Sequence, residues 1–377
     1  MRLRPVLGLA LSAAACSTLS VEKVDLSARP PSNVAVYLTV DRRGEPVSGL
    51  TSDRFHLSED GRNLPAQDSR QTLLDRRLVS EHAVLVLVDM SSAATSAKLV
   101  PQLDAAMEAL QRRLSQELKV AIYAFDGAED IVPIVPFPEL AALTEKADKP
   151  EKPAKPARGR GGASAESLSE LLTAEPTAET QGKSQPAGET PHLADFQQRD
   201  PSANLHGAVK SAVGELEDAL ARSGKPLRFG TLVVIAAGPD RANRVSRAKM
   251  LKAALRSKLD LFVVGLGPEI DKDELKDLGR TEARFELDSN GVRRALEAVG
   301  ERIRARTRRH YLLSYCSPAR RGKRVVRIEA VTPDGASGSL EARFSADGFR
   351  PRCDPNRPPD FTPPPEEAPE MGEGPAR

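Results

Sequence analysis

HAVLVLVDMSS, residues His82–Ser92, contains an aliphatic run from Ala83 to Val88 that ends at Asp89. A short segment that is apolar at every position, and not at alternate ones, is typical of a strand buried on both faces of a parallel sheet. Open α/β sheets hold their ligands at the carboxyl ends of such strands. Asp89 and Ser91 therefore mark the first candidate functional position.

The segments that follow this run alternate between helix-like and strand-like patterns. Residues 97–118 place leucine and methionine at three- and four-residue steps, which predicts an amphipathic helix, and residues 119–125 predict the next strand. Residues 131–137 predict a strand that its prolines confine to a sheet edge. Because the alternation continues through residues 205–303, the predicted fold class is α/β with a doubly wound, mostly parallel sheet.

Short strands flank this region on both sides. TVDRRGEPVSGLTSDRFHLSEDG, residues Thr39–Gly61, combines strand patterns with turn signals of the D-x-x-G and D-G type. Residues 309–344 contain three further strand patterns. The predicted domains are a β module over residues 30–80, an α/β domain over 81–305 and a C-terminal β segment over 306–353.

The composition limits the class of protein. With 377 residues, 40% hydrophobic and 29% charged, the chain has enough apolar material for a sizeable core. A net charge of +2 gives no case for nucleic acid as a partner. Residues 138–199 and 354–377 are rich in proline and poor in aliphatic side chains, which predicts a disordered insert and a disordered tail.

The first sixteen residues, MRLRPVLGLALSAAAC, have the layout of a secretory signal: two arginines, an apolar run and small residues. Their end resembles a bacterial lipobox, which implies lipidation of Cys16, and Ser17 then favours the outer membrane, on its periplasmic or cell-surface side. Cleavage by the general signal peptidase is the alternative. Lipidation leaves Cys316 and Cys353 as a pair that an oxidising compartment would join, with two free thiols as the alternative.

The order of the elements and their local motifs resemble the von Willebrand factor A domain. Thr39–Gly61 resembles the Ig-like module that precedes this domain in many bacterial exported proteins. The C-terminal β segment resembles the one that follows it, which implies a small β-sandwich-like module built from both ends of the chain. The resemblance also implies a metal-ion-dependent adhesion site, with D-x-S-x-S after the first strand, a later Thr and a later Asp, suited to magnesium.

The chain departs from that ligand pattern at most positions. Asp89 and Ser91 match, but Ala93, Ala203 and Ala237 stand at the other three. One carboxylate and one hydroxyl do not supply the directed contacts that Mg²⁺ requires, so we expect a degenerate site with no cofactor. The alternative is a magnesium site rescued by neighbouring oxygens, for which the candidates are Ser92, Ser202, Asp200 and Asp240.

No catalytic motif stands out around the five histidines. Asp89, Ser91 and His206 match a catalytic triad in composition, but no G-x-S-x-G turn accompanies them, and we interpret His206 as a solvent-facing helix residue. The predicted function is non-catalytic binding or scaffolding at the bacterial cell envelope, with an envelope or extracellular protein as partner. A magnesium-dependent adhesion module is the first alternative, and an envelope hydrolase is the second.

Overall fold

The structure is a computed structural model that describes residues 18–96, 99–137, 192–287 and 289–361. The signal segment with Cys16, most of the predicted insert and the end of the tail lie outside these ranges. The chain begins with short strands: β1 (Leu19–Arg29), β2 (Asn33–Arg42), β3 (Glu45–Pro46), β4 (Phe55–Glu59), β5 (Arg62–Leu64) and β6 (Thr72–Leu74).

An α/β region follows. Its strands are β7 (Ser80–Asp89), β8 (Lys119–Phe125), β9 (Val132–Val135), β10 (Leu227–Ala236), β11 (Asp260–Leu266) and β12 (Glu282–Glu286). Its helices are α1 (Ser92–Ser96), α2 (Val100–Leu114), α3 (Leu205–Arg222), α4 (Arg247–Arg256), α5 (Lys272–Leu278) and α6 (Ser289–Arg308). The chain ends with β13 (His310–Cys316), β14 (Lys323–Val331) and β15 (Ser337–Ser345).

The six strands of the α/β region form one sheet in the order β12-β11-β10-β7-β8-β9. All neighbouring pairs are parallel except β8 and β9, which are antiparallel. β9 contains Pro133 and lies at the edge of the sheet, where a missing N–H costs no ladder bond. The predicted doubly wound, mostly parallel sheet is confirmed.

Helices cover both faces of this sheet, which explains why β7 is apolar at consecutive positions. Leu85 and Leu87 pack in one core with α3, α4 and α5. Val84, Val86 and Val88 pack in the other core with α2 and α6. None of the helices within the described ranges is long and apolar enough to cross a bilayer.

The two ends of the chain form a β sandwich. One sheet has the order β1-β2-β13-β6, with β3 paired to β2, and the other has the order β15-β14-β4-β5. Both sheets contribute to one core that includes Val36, Phe55, Tyr315 and Ile328. This confirms the predicted β-sandwich-like module of N- and C-terminal segments.

β1 was not predicted from the sequence, and it begins before residue 30. It pairs antiparallel with β2, but its register shifts between Lys23 and Asp25, which interrupts the alternation of apolar and polar residues. Leu19, Val21 and Ser27 of β1 are buried, but none of the residues between Val21 and Ser27 is, so burial alternates only at the start of the strand. A bulged edge strand with an exposed face therefore gives a weak periodic signal.

The sandwich and the α/β region share a buried aromatic contact. Tyr37 of β2 stacks on Phe229 of β10, with ring centroids 5.9 Å apart. His82 of β7 and His310 of β13 lie edge to face, with centroids 5.0 Å apart. Phe361, which is 6% exposed, packs in the same cluster as Tyr37. Three arginines at or directly after the C-terminal end of α6 form ion pairs next to this aromatic contact: Arg306–Asp260, Arg308–Glu117 and Arg309–Asp41.

A disulfide joins Cys316 at the end of β13 to Cys353 in the C-terminal segment. Composition assigns residues 192–199 to the insert and 354–361 to the tail, yet both stretches pack on the fold. The backbone N–H of Leu193, a buried residue, donates to Asp104 at 2.8 Å. The Ser27 hydroxyl donates to the carbonyl of Asp360 at 2.5 Å. Leu193 in the first stretch and Phe361 in the second are buried apolar side chains, and their burial stabilises these stretches on the fold.

Candidate functional site

The candidate site lies where the carboxyl ends of β7, β8 and β10 meet. These three strands are neighbours and run parallel, so the residues that follow them converge at one edge of the sheet. β7 ends at Asp89, Asp126 follows β8, and Ala237 follows β10.

Asp89 is 1% exposed and its carboxylate serves the backbone. Its Oδ1 accepts from the N–H of Ser91 at 2.9 Å, and its Oδ2 accepts from the N–H of Ala237 at 2.9 Å. Burial raises the pKa of Asp89, against the opposing effect of the backbone N–H groups of Ala237, Ser91 and Gly238. The carboxylate therefore ties the end of β7 to the end of β10.

Ser91 is also 1% exposed. Within the described residues its hydroxyl makes no hydrogen bond of acceptable geometry. Its carbonyl accepts from the N–H and the hydroxyl of Thr95, at 3.2 and 3.3 Å, in the first turn of α1. The backbone of Ser91 is thus fixed on both sides, while its hydroxyl is unpaired.

The three alanines lie at the same edge, in contact with a common cleft. Ala203 and Ala237 are 3% and 5% exposed, and their methyl groups cannot bind a cation. The carbonyl of Ala203 accepts from the N–H groups of Arg241 and Ala242 at 2.9 and 3.0 Å. A metal here would have to displace the backbone donors on Asp89 and would find methyl groups at three ligand positions. The residues present do not fit Mg²⁺.

Each neighbouring oxygen named as a rescue ligand has another partner. The hydroxyl of Ser92 donates to the carbonyl of Pro201 at 2.6 Å, and that of Ser202 donates to Asp200 at 2.8 Å. Asp200 also pairs with Arg244 at 3.2 Å. The two carboxylate oxygens of Asp240 accept from the N–H groups of His206 and Asn243, both at 2.8 Å. Across the described ranges, no three His, Cys, Asp or Glu side chains are grouped to hold a metal ion.

Asp126 belongs to this edge and was missed in the sequence analysis. It is fully buried, and it accepts from the N–H groups of Ala128, Arg199 and Asp200 at 2.9, 2.6 and 3.2 Å. Burial acts to raise its pKa, but these hydrogen bonds outweigh burial and leave the pKa below its usual value. An aspartate directly after a buried strand, as in Phe125-Asp126, is the signal that would have found it.

His206 corrects the interpretation of a solvent-facing helix residue, because it is 8% exposed. Its Nδ1 lies 2.9 Å from the carbonyl of Val245 and 3.2 Å from Asp240, and its Nε2 contacts Glu274. Burial alone would lower the pKa of His206, but the hydrogen bonds and the two carboxylates outweigh it and raise the pKa. His206 therefore ties α3 to α5 and to the loop after β10.

Ser91 and His206 do not form a nucleophile–base pair. Both ring nitrogens of His206 are engaged with Val245, Asp240 and Glu274, and the Ser91 hydroxyl has no hydrogen-bond partner among the described residues. Activation of a serine requires a base within hydrogen-bond reach. The triad geometry is not assembled.

A cleft of about 420 Å³ opens at this edge. Small and apolar residues, among them Ala93, Ala203, Ala237 and Leu266, line its wall. An exposed ion pair between Arg241 and Glu269, 2.7 Å apart, forms part of its rim. A small-residue wall inside a charged rim can receive a side chain of another molecule, with the rim groups fixing its orientation.

Comparisons with family models and with curated proteins gave no match. Among solved structures, von Willebrand factor type A from Catenulispora acidiphila shows 8% identity and a TM-score of 0.42, over 89% of this chain and 74% of that one.

Proximal thread matrix protein 1 from the mussel byssus shows 10% identity and a TM-score of 0.39, over 60% of this chain. The chain spans about half of the mussel protein, 49% of its length. BatB from Bacteroides thetaiotaomicron shows 11% identity and a TM-score of 0.34, over 61% of this chain and 99% of that one. Identities and TM-scores this low support no further inference, so the fold class rests on the strand order of the sheet.

Proposed function

We propose that this protein is a non-catalytic binding or scaffolding lipoprotein of the bacterial cell envelope, which contacts another protein through the cleft without a metal ion. One observation carries the proposal: both carboxylate oxygens of Asp89 accept hydrogen bonds from backbone N–H groups at the carboxyl edge of the sheet. A carboxylate committed in this way fixes the shape of the cleft and is not offered to a cation. Binding then depends on shape and on the rim charges.

The proposed location of the protein at the cell envelope rests on its first residues. The signal layout of Met1–Cys16 and the lipobox-like ending favour export and an N-terminal lipid on Cys16. The disulfide between Cys316 and Cys353 is compatible with an oxidising compartment. Mass spectrometry of the mature N-terminus tests this part, since an unlipidated N-terminus beyond Cys16 would contradict it.

Two variants test the cleft. Ala93→Phe fills part of it, and Arg241→Glu reverses a rim charge. Ala105→Phe and Arg293→Glu are the matched controls, since Ala105 is an exposed helical alanine and Arg293 is an exposed, carboxylate-paired arginine, both outside the cleft. The measurement is quantitative affinity capture from envelope extract in the presence of EDTA.

We expect at least one protein to be captured about tenfold less by both cleft variants and equally by both controls, because cleft contacts at a binding centre carry most of the affinity. Thermal melts check that all four variants are folded. Equal capture by every variant would contradict the cleft as the binding surface.

The magnesium-dependent alternative has its own test. Calorimetric and thermal-shift titrations with Mg²⁺ and Mn²⁺ should give no saturable signal, because the cleft offers no assembled ligand set. Saturable binding that disappears in Asp89→Ala would instead make metal-dependent adhesion the first hypothesis.

A further inference from the structure

A second cavity lies at the disulfide end of the sandwich, away from the cleft. Its volume is about 310 Å³, and three arginines, Arg70, Arg320 and Arg352, are among the residues that line it. Asp68 is the one carboxylate in that lining. The cavity therefore has an excess of positive charge.

Two of the three guanidinium groups, those of Arg70 and Arg320, donate hydrogen bonds to backbone carbonyls. One terminal nitrogen of Arg70 donates to the carbonyl of Cys353 at 3.2 Å. One terminal nitrogen of Arg320 donates to the carbonyls of Ser317 and Ala319 at 3.1 and 2.8 Å. A guanidinium has five N–H donors, so each side chain is positioned while further donors are available to a ligand.

Several arginines elsewhere in the described part of the chain are paired with carboxylates. Arg324 pairs with Asp60 at 2.8 Å, and Arg309 pairs with Asp41 at 2.7 Å. In the part of the chain that the structure describes, Arg70, Arg320 and Arg352 have no carboxylate within 4.0 Å. Their positive charges are thus not offset by an internal ion pair.

The walls of the cavity are fixed before any ligand arrives. The disulfide joins Cys316 and Cys353 across it. The N–H of Cys316 donates to the carbonyl of Ser69 at 2.7 Å, and the N–H of Ser317 donates to the carbonyl of Ser32 at 3.0 Å. A preorganised site loses less entropy on binding than a mobile one.

We propose that this cavity binds a tetrahedral oxyanion, a phosphate group, through Arg70, Arg320 and Arg352. The planar guanidinium fork matches phosphate oxygens and forms charge-assisted hydrogen bonds with them. Asp68 opposes binding of an anion, so its charge limits the affinity. The inference is independent of the cleft and adds a ligand that the proposed function does not include.

The source of the phosphate is either a soluble molecule or a lipid headgroup. β1 pairs Arg29 with Asn33, which itself pairs with Cys316 on β13, whereas Leu19 lies at the opposite end of β1. Eleven residues of strand span roughly 35 Å. A lipid shortly before Leu19 would thus be separated from the cavity by about the length of β1, which favours a soluble source.

The test uses the purified full chain with inorganic phosphate in calorimetry, and with vesicles of phosphatidylglycerol or phosphatidylcholine in a sedimentation assay. The variants are Arg70→Ala, Arg320→Ala and Asp68→Asn. Arg343→Ala is the matched control, because Arg343 is exposed on β15, outside the cavity, and also lacks a carboxylate partner within the described residues.

We expect saturable phosphate binding that weakens at least tenfold in Arg70→Ala and Arg320→Ala, tightens in Asp68→Asn and changes less than twofold in Arg343→Ala. Binding to phosphatidylglycerol vesicles alone, with the same variant pattern, would support the site and assign its source to lipid. No saturable binding of either probe, or an equal loss in Arg343→Ala, would overturn the proposal. Thermal melts confirm that each variant is folded.

Discussion

At Asp89, two backbone N–H groups converge on one buried carboxylate, and at Ser91 a buried hydroxyl has no partner among the described residues. The two side chains stand two positions apart in one motif but contribute differently to stability. A carboxylate with both oxygens engaged stabilises the loops that it joins. A buried hydroxyl with no hydrogen bond gives no such gain and carries the cost of its lost hydration.

This contrast gives a prediction at the residue scale. Asp89→Asn should lower the free energy of unfolding by roughly 1–3 kcal/mol, because an amide NH₂ would face a backbone N–H donor in a buried place. Ser91→Ala should not lower it, since no hydrogen bond is lost and an unpaired buried hydroxyl is removed. Urea unfolding of both variants measures the difference, and a larger loss for Ser91→Ala would refute it.

At the scale of elements, β7 and β13 bring two histidines into the contact between the sandwich and the α/β region. Burial, aided by the charges of Arg309 and Arg76, lowers the pKa of His310 to about 4, against a hydrogen bond to the carbonyl of Thr307. Burial also holds the pKa of His82 well below its ordinary value, and His310 and Arg76 add to this effect. Both imidazoles are therefore neutral in the folded protein at pH 7.

The lowered pKa values of His310 and His82 make the free energy of unfolding depend on pH. The unfolded state binds these protons near pH 6.5 and the folded state does not, so the stability is fully present above pH 6.5 and falls as the pH decreases below it. For His310, a shift from 6.5 to about 4 corresponds to roughly 3 kcal/mol. The raised pKa of His206 has the opposite sign, with its contribution fully present below pH 6.5 and lost above.

The variant His310→Phe separates these effects, because Phe suits the aromatic surroundings and cannot take up a proton. Denaturation at pH 6.5 and pH 5 should show a steeper loss of stability in the natural chain than in the variant. Equal slopes would show that His310 does not govern the acid sensitivity of this contact.

On the scale of the whole molecule, the sandwich is closed by segments from opposite ends of the chain. β13 lies between β2 and β6, and β14 lies between β15 and β4, so neither sheet is complete without the C-terminal segment. The disulfide joins Cys316, at the end of β13, to Cys353, which follows β15, over a sequence separation of 37 residues. Folding of the sandwich therefore requires both ends of the chain.

Removal of the disulfide is predicted to destabilise the whole fold. For a loop of this length, the loss of the cross-link costs about 4 kcal/mol through the entropy of the unfolded chain. The variant with Cys316→Ser and Cys353→Ser should thus melt well below the natural chain. Identical melting temperatures would contradict the prediction, and reduction of the natural chain provides an independent check.

Periodicity determined the fold class, because continuous apolar runs and helical spacing are properties of a local segment. It identified β7 as a strand buried on both faces, β9 as an edge strand, and β2, β4, β13, β14 and β15 at the two ends, but not the three-residue strand β6. It did not find β1, where a bulge shifts the alternation. The residue types alone also show that the side chains of Ala93, Ala203 and Ala237 offer no oxygen ligand to a cation, whatever their packing.

Only the tertiary structure decided what the polar side chains contact. His206 is buried because α5 and the loop after β10 bring Glu274 and Asp240 to it. Asp126 is buried because residues far along the chain, Arg199 and Asp200, return to its carboxylate. Partners of this kind are set by which loops meet at a sheet edge, and that meeting leaves no period in the sequence.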